Sequence, residues 1–162
     1  MDFVTHTLSP VYDNESKILM LGSIPSPLSR QTGFYYGHAQ NRFWRVLSTV
    51  FSNDLPTTNN EKKAFLHTHH IALWDVLHSC EIQGASDASI QNPVPNDIGI
   101  ILNTCPIRAI FATGSKAAAL YQKHVFQRTN RPIITLPSTS PANCRMSMNQ
   151  LVAAYEMILE YL

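Results

Sequence analysis

The chain has 162 residues, 44% of them hydrophobic and only 14% charged, a balance that excludes an intrinsically disordered polypeptide. This length predicts one compact domain, and surface scaling gives about 8,000 Å² folded against about 26,000 Å² unfolded, so a cooperative core needs no metal, disulfide or partner. Twelve Lys and Arg against eleven Asp and Glu leave a formal charge of +1. That excludes a polybasic nucleic-acid coat, but not a binder that uses a few contacts and a shaped pocket.

Cys80, Cys105 and Cys144 are widely spaced and odd in number, which reads as three buried thiols in a reducing cytoplasm rather than a disulfide frame. No basic segment followed by a long apolar run opens the chain, so no secretory signal is expected, and no stretch approaches eighteen apolar residues, so no membrane span is expected.

In chain order, the apolar run at 18–21 predicts a buried strand closed by Gly22. Residues 23–40 then read as a long turn-rich loop punctuated by Pro25, Pro27, Gly33 and Gly37, a length uncommon unless the loop lines a site. Phe43, Trp44, Val46, Leu47, Val50 and Phe51 fall at helical spacing, with Asn41 opening the helix. Thr58 and Glu61 have capping-box spacing for a helix reaching His67. "IALWDV" (71–76) is the second strand, and Asn96 is a candidate cap for a helix bearing Ile98, Ile101 and Leu102. "IRAIFATG" predicts a third strand closed by Gly114 and entering an Ala-rich helix, and "PIITLP" a fourth. Ser147 and Gln150 form a second capping-box spacing before the last amphipathic helix.

Short apolar strands alternating with helices indicate an α/β fold. The expectation is a single three-layer α/β/α sandwich over residues 1–162, with a central, mainly parallel four-stranded sheet and no linker. Ligands of such sheets sit beyond the carboxyl ends of the strands. The loops after the first, third and fourth predicted strands are therefore the places to look for chemistry.

Those loops carry a resemblance. "GSIPSPLS" followed by "FYYGHAQNRFW" resembles the first signature region of the hypoxanthine-DNA glycosylase branch of the uracil-DNA glycosylase superfamily. "ALWDVLHSCEIQGASDASI" and "LPSTSPANCRMS" resemble that branch's central and second signature regions, so the matched pieces span most of the chain from Ile18 to Ser147. The resemblance implies a single α/β domain that hydrolyses the N-glycosidic bond of a deaminated base in double-stranded DNA, hypoxanthine first and uracil second. It implies no metal, no organic cofactor, no membrane and no obligate protein partner: a monomeric, cytoplasmic enzyme. No lysine is placed to mark a strand-cleaving step, so a monofunctional hydrolase is expected. Two alternatives stay open: a weak or inactive relative that senses lesions, and a small-molecule nucleoside hydrolase.

Asn41 matches the branch's catalytic asparagine. An amide is no general base near neutral pH, but its carbonyl can hold a water while its NH₂ donates to substrate or backbone. Asn41 also suits the helix cap, and both roles can coexist. His38 resembles the histidine of the branch's "GH" pattern and is a candidate donor to a phosphate or to the departing base. Ala39 stands where the family commonly has proline.

Gly22, Ser23, Ile24 and Pro25 are candidates for the base pocket and Ser26 for DNA contact. More efficient relatives carry a water-activating acid in this loop; "GSIPS" has none, which predicts slower chemistry or reliance on leaving-group stabilisation. Among Phe34, Tyr35 and Tyr36 at least one ring is expected to wall the pocket, with Tyr35 and Tyr36 the candidates, because an extruded base exchanges duplex stacking for stacking in the protein. Phe43 and Trp44 read as packing. Gly114 is assigned to the pocket, although Thr113 replaces an asparagine that relatives often have there, and Lys116 to phosphate. Ser138, Ser140, Pro141, Ala142 and Asn143 resemble the loop that presses on the minor groove, with Arg145 a candidate phosphate ligand. Asp87 reads first as a turn cap, otherwise as a group orienting His38 or a base nitrogen, and Asp75 as structural. His67, His69 and His70 lack metal-site spacing.

Overall fold

The computed structural model describes residues 1–162, with two sheets. Four short runs make the first: β2 (Ile18–Gly22), β3 (Ile71–Asp75), β6 (Ala109–Thr113) and β7 (Ile133–Leu136), all parallel, in the order β3-β2-β6-β7. These are the four predicted strands. β2, a central strand, is buried at every position, and so is β3 at the end of the sheet, where the segment around Val11 bridges it at Leu73. The chain runs outward from β2 to β3 and later returns to β6 on the other side of β2, so the sheet has its topological switch point between β2 and β6.

The helices are α1 (Pro27–Thr32), α2 (Phe43–Val50), α3 (Asn59–Thr68), α4 (Gly99–Thr104), α5 (Ser115–His124), α6 (Phe126–Thr129) and α7 (Met148–Tyr155), followed by a 3₁₀ turn at Glu156–Tyr161. They complete the expected α/β/α sandwich, and the accessible surface is 8079 Å². Both capping boxes form: the hydroxyls of Thr58 and Ser147 accept from the N–H of Glu61 and Gln150, and those side chains bond back. No helix is long and apolar enough to cross a membrane.

The second sheet departs from the expectation. β1 (Asp2–Thr5), β4 (Leu77–Gln83) and β5 (Ser86–Pro95) form an antiparallel sheet in the order β1-β4-β5. Gly84 and Ala85 are the two-residue loop of the β4–β5 hairpin, with Gly84 at φ 58°, where a side chain would be strained. Asn96 does not cap α4; its amide donates to the backbone oxygens of Asp75 and Leu77, each at 3.0 Å, and ties the end of β3 to the start of β4. α1 lies inside the expected loop, capped by Ser26, started by Pro27 and ended by Gly33 at φ 82°. Of the three cysteines, Cys80 and Cys105 are buried but Cys144 is exposed, because it sits on the loop between β7 and α7 rather than in the core.

Candidate active site

At the switch point a cavity of about 320 Å³ opens, within the usual range for small-molecule sites. Its walls come from the residues after β2, from the end of β6, from the loop after β7 and, unexpectedly, from the β4–β5 hairpin through Ile82, Gly84, Ala85 and Asp87.

Asn41 lines the cavity, as expected. Its Oδ1 accepts from the backbone N–H of Phe43 at 2.9 Å and from the Thr139 hydroxyl at 2.8 Å. The first bond serves the first N–H of α2 from the residue before its N-cap, so the cap expected at Asn41 falls one residue later, on Arg42, whose side chain makes no capping bond. With both lone pairs of Oδ1 occupied, the free group is the NH₂. The water-holding carbonyl expected from the sequence therefore gives way to an amide donor. Arg42, which the sequence reading passed over, holds this corner together: its guanidinium donates to the carbonyls of Met146 (2.6 Å) and Asn143 (2.9 Å), and its N–H to that of Thr139 (3.1 Å). Nothing in an isolated Arg next to Asn41 announces contacts a hundred residues away.

His38 is exposed at the mouth of the cavity. Its Nδ1 accepts from the Gln40 N–H at 3.1 Å, which leaves Nε2–H of the neutral ring as the donor.

Gly22, Ser23, Ile24, Pro25 and Ser26 all line the cavity. The carbonyls of Gly22 and Ser23 accept from the N–H groups of Val76 (2.8 Å) and Leu77 (3.0 Å), so the start of the antiparallel sheet pins this loop. Ser26 is on the rim, but its oxygen accepts from the Ser29 N–H and its hydroxyl donates to Ser29 Oγ, so it builds α1 first.

Ser23 donates to Asp87 Oδ1 at 3.0 Å. Asp87 is in β5 and caps no turn, which corrects the reading favoured from sequence. Asp87 is an exposed residue lining the cavity; partial desolvation there and the neighbouring Asp75 push its carboxyl above the usual range, against the Ser23 hydrogen bond and the nearby Lys116. Asp87 thus brings a carboxyl to the cavity from the other sheet. Only the "GA" hairpin signal in the sequence pointed that way.

The three aromatics divide by their contacts. Phe34 is packed against Trp44 in the core. Tyr35 lines the cavity in part, but its hydroxyl donates to the Ser9 carbonyl at 2.7 Å and anchors the N-terminal segment. Tyr36 stacks on Phe43 at 3.9 Å and 15°, and its hydroxyl bonds Thr113 Oγ1 at 2.7 Å. One face of the Tyr36 ring is covered, so its cavity contribution comes from the other face or the edge. Burial pushes its phenol well above the ordinary value and keeps it neutral.

Gly114 itself is outside the cavity lining; Thr113 takes that place. Gly114 has φ 114°, and a Cβ there would be 3.3 Å from Ser138 Cβ, so it lets the turn after β6 approach the loop after β7. Ser138, Ser140, Pro141 and Ala142 line the cavity, and short bonds set the loop: Ser138 Oγ accepts from Ser140 N–H and Ser140 Oγ from Ala142 N–H. Asn143 is outside, its amide donating to the Ser138 carbonyl at 2.9 Å. Lys116 and Arg145 are also outside the cavity, Lys116 within electrostatic reach of Asp87 and Arg145 exposed. No three His, Cys, Asp or Glu side chains converge as a metal cluster; His69 stacks on Phe51 and His67 faces Asp13.

Against known proteins, the family described as "UDG: Uracil DNA glycosylase superfamily" matches residues 9–162. This chain belongs to that superfamily. A "Hypoxanthine DNA glycosylase" of Methanosarcina acetivorans is 31% identical over 141 residues, 86% of this chain and 89% of the relative. One of the same description from Methanosarcina barkeri is 33% identical over 110 residues, 67% of this chain and 70% of the relative. A solution NMR structure of a candidate uracil DNA glycosylase from Methanosarcina acetivorans superposes with a TM-score of 0.80 at 28% identity, covering 98% of this chain and 99% of that one.

Proposed function

We propose that this protein is a monofunctional DNA glycosylase that hydrolyses the N-glycosidic bond of deaminated bases in double-stranded DNA, hypoxanthine first and uracil second. The observation that carries the reading is the convergence of the free Asn41 NH₂ and the Asp87 carboxyl on one cavity at the carboxyl ends of β2 and β6. The names and extents of the two Methanosarcina relatives support hypoxanthine as a substrate.

A weakly paired lesion leaves the stack at low cost and enters the cavity, where Tyr36 offers an aromatic surface. The Asn41 NH₂ and the His38 Nε2–H are donors for the negative charge that grows on the departing base. Hypoxanthine presents a carbonyl oxygen where adenine carries an amine, so donors there favour the deaminated base. A water attacks the anomeric carbon as the C–N bond breaks; the bonding pair leaves with the base and the water's proton passes to the Asp87 carboxylate. Free base and an abasic site result. The hydroxyls of Ser138 and Ser140 contact phosphate, Pro141 presses on the groove, and Lys116 and Arg145 reach the backbone further out. The protein acts as a cytoplasmic monomer without metal or organic cofactor.

The test incubates purified protein with duplexes carrying one hypoxanthine or one uracil, followed by alkali. Strand scission at the lesion, lost in Asn41→Ala with duplex binding kept, is the expected result. Release of base from free deoxyinosine but not from the duplex would overturn the reading in favour of a nucleoside hydrolase.

A further inference from the structure

The cavity floor holds a carboxylate that the reaction above leaves unused. Asp75 ends β3, is 4% exposed and lines the cavity. His6 Nε2 donates to its Oδ2 at 2.8 Å. His6 is itself buried, its ring centroid 6.0 Å from that of Tyr35 and 6.4 Å from that of Trp74, and its backbone N–H donates to the His78 carbonyl at 2.6 Å. Gly22 leaves room for the other oxygen, since a Cβ there would lie 2.4 Å from Oδ1. No protein donor reaches Oδ1.

A carboxylate at this depth is costly unless its oxygens are satisfied. His6 satisfies one. The other is an acceptor aimed at whatever occupies the cavity, and ring nitrogens of bases differ in that respect. Adenine N1 and cytosine N3 are bare acceptors, which a carboxylate oxygen repels. Deamination turns the neighbouring amine into a carbonyl, and the ring nitrogen gains a hydrogen: N1–H in hypoxanthine, N3–H in uracil. Guanine also carries N1–H, but its firm pairing with cytosine opposes the extrusion that a weak lesion pair permits.

We propose that Asp75 Oδ1 accepts the ring N–H created by deamination, and that His6 is the positioning residue that holds this oxygen toward the cavity. The pair selects deaminated over amino bases by one hydrogen. The inference rests on the glycosylase reading above and adds to it the atom by which the lesion is told apart. A site built around such a bond rejects the analogue lacking the hydrogen far more strongly than a merely apolar pocket does.

Single-turnover cleavage of duplexes containing hypoxanthine or 1-methylhypoxanthine tests it, with uracil and 3-methyluracil as the parallel pair. Wild type is expected to prefer the unmethylated base by about 100-fold or more. His6→Phe keeps a ring between Tyr35 and Trp74 but removes the N–H; cleavage of hypoxanthine should fall about 30-fold, with the preference shrinking to a few-fold. His6→Gln restores a donor at a similar reach and should bring both back to within about threefold of wild type. Thermal melting establishes that each variant is folded. A folded His6→Phe with the wild-type preference overturns the proposal, as does a folded His6→Gln that has lost it. If wild type cleaves neither hypoxanthine nor uracil duplexes, the glycosylase reading itself fails, an outcome separate from either variant result.

Discussion

The two sheets contribute different things to one cavity. The parallel sheet supplies a rigid rim: Gly22 and Ser23 at the end of β2, Thr113 at the end of β6, and the Ser138–Ala142 segment after β7. The antiparallel sheet contributes acidity and its support. Asp87 reaches in from β5, His6 follows β1 to hold Asp75, and the start of β4 pins the carbonyls of Gly22 and Ser23. A rim of hydroxyls and amides can position an extruded nucleotide. Moving a proton from water suits a carboxylate, and the loop after β2 carries none, its ionisable His38 having Nδ1 engaged by the Gln40 N–H. The amide of Asn41 and the ring of His38 are thus mounted beside the parallel sheet, and the carboxyl of Asp87 on the antiparallel one.

The largest expected effect falls on the rim. Asn41→Ala removes a donor to the leaving base and should slow single-turnover cleavage by about 100- to 1,000-fold. It also leaves the first N–H of α2 and the Thr139 hydroxyl without their acceptor, costing about 1 kcal/mol in thermal or denaturant melting. Those readouts separate the two roles: Asn41→Asp keeps an oxygen for the Phe43 N–H and the Thr139 hydroxyl but has no NH₂, so it should recover stability and not rate. Recovery of rate in Asn41→Asp would show that the carbonyl oxygen, not the amide donor, is the active end.

Asp87→Asn probes the other sheet and should slow cleavage by about 100-fold near neutral pH. As the proton acceptor, Asp87 works ionised, so the wild-type rate should rise with pH through a value above the usual carboxylate range and then level off. The variant should lack that limb. Stability runs the opposite way. A carboxyl held above its unfolded value contributes stability that is complete below the ordinary carboxylate range and is lost as pH rises through the raised value. At neutral pH the ionised group is then a burden to the fold, and Asp87→Asn should melt no lower than wild type. A slower enzyme that is no less stable is the signature sought; a clear loss of stability would reassign Asp87 to structure.

Gly22→Ala tests where the sheets meet. The new methyl would lie 2.4 Å from Asp75 Oδ1 and 3.0 Å from the Tyr36 hydroxyl, so one of them must move. Overpacking of this kind costs about 1–3 kcal/mol, and a displaced Asp75 or Tyr36 should also cut cleavage by about tenfold. A variant that melts lower yet cleaves normally would mean the junction serves only packing.

The same division explains what the sequence made legible. Parallel strands read as short continuous apolar runs, and all four lie where expected, together with both capping boxes and the loop bearing Asn41, His38 and Tyr36. The antiparallel sheet has no such signal. β4 pairs with β5 through shifted register, which breaks its alternation, and β5 is a largely exposed edge strand carrying Pro93 and Pro95. Asp87 was read as a local cap because capping is a short-range habit of aspartate. Its actual partner, Ser23, is 64 residues away. His6 could not be tied to Asp75, nor Arg42 to the loop after β7, without knowing which elements are neighbours.

The smallest expected effects are at the periphery of the rim, where Lys116 and Arg145 stand outside the cavity. With a formal charge of only +1, the protein's hold on DNA should rest on few phosphates. Each phosphate neutralised contributes about −0.9 to the slope of log affinity against log salt, so the wild-type slope should be shallow beside that of a basic binder. Arg145→Ala should flatten the slope by about one contact and weaken damaged and undamaged duplexes alike, because backbone contacts carry no base information. Titration of a labelled duplex at several salt concentrations measures both. A steep slope that Arg145→Ala leaves unchanged would mean a basic surface elsewhere carries the DNA, and the rim would then grip the lesion without gripping the strand.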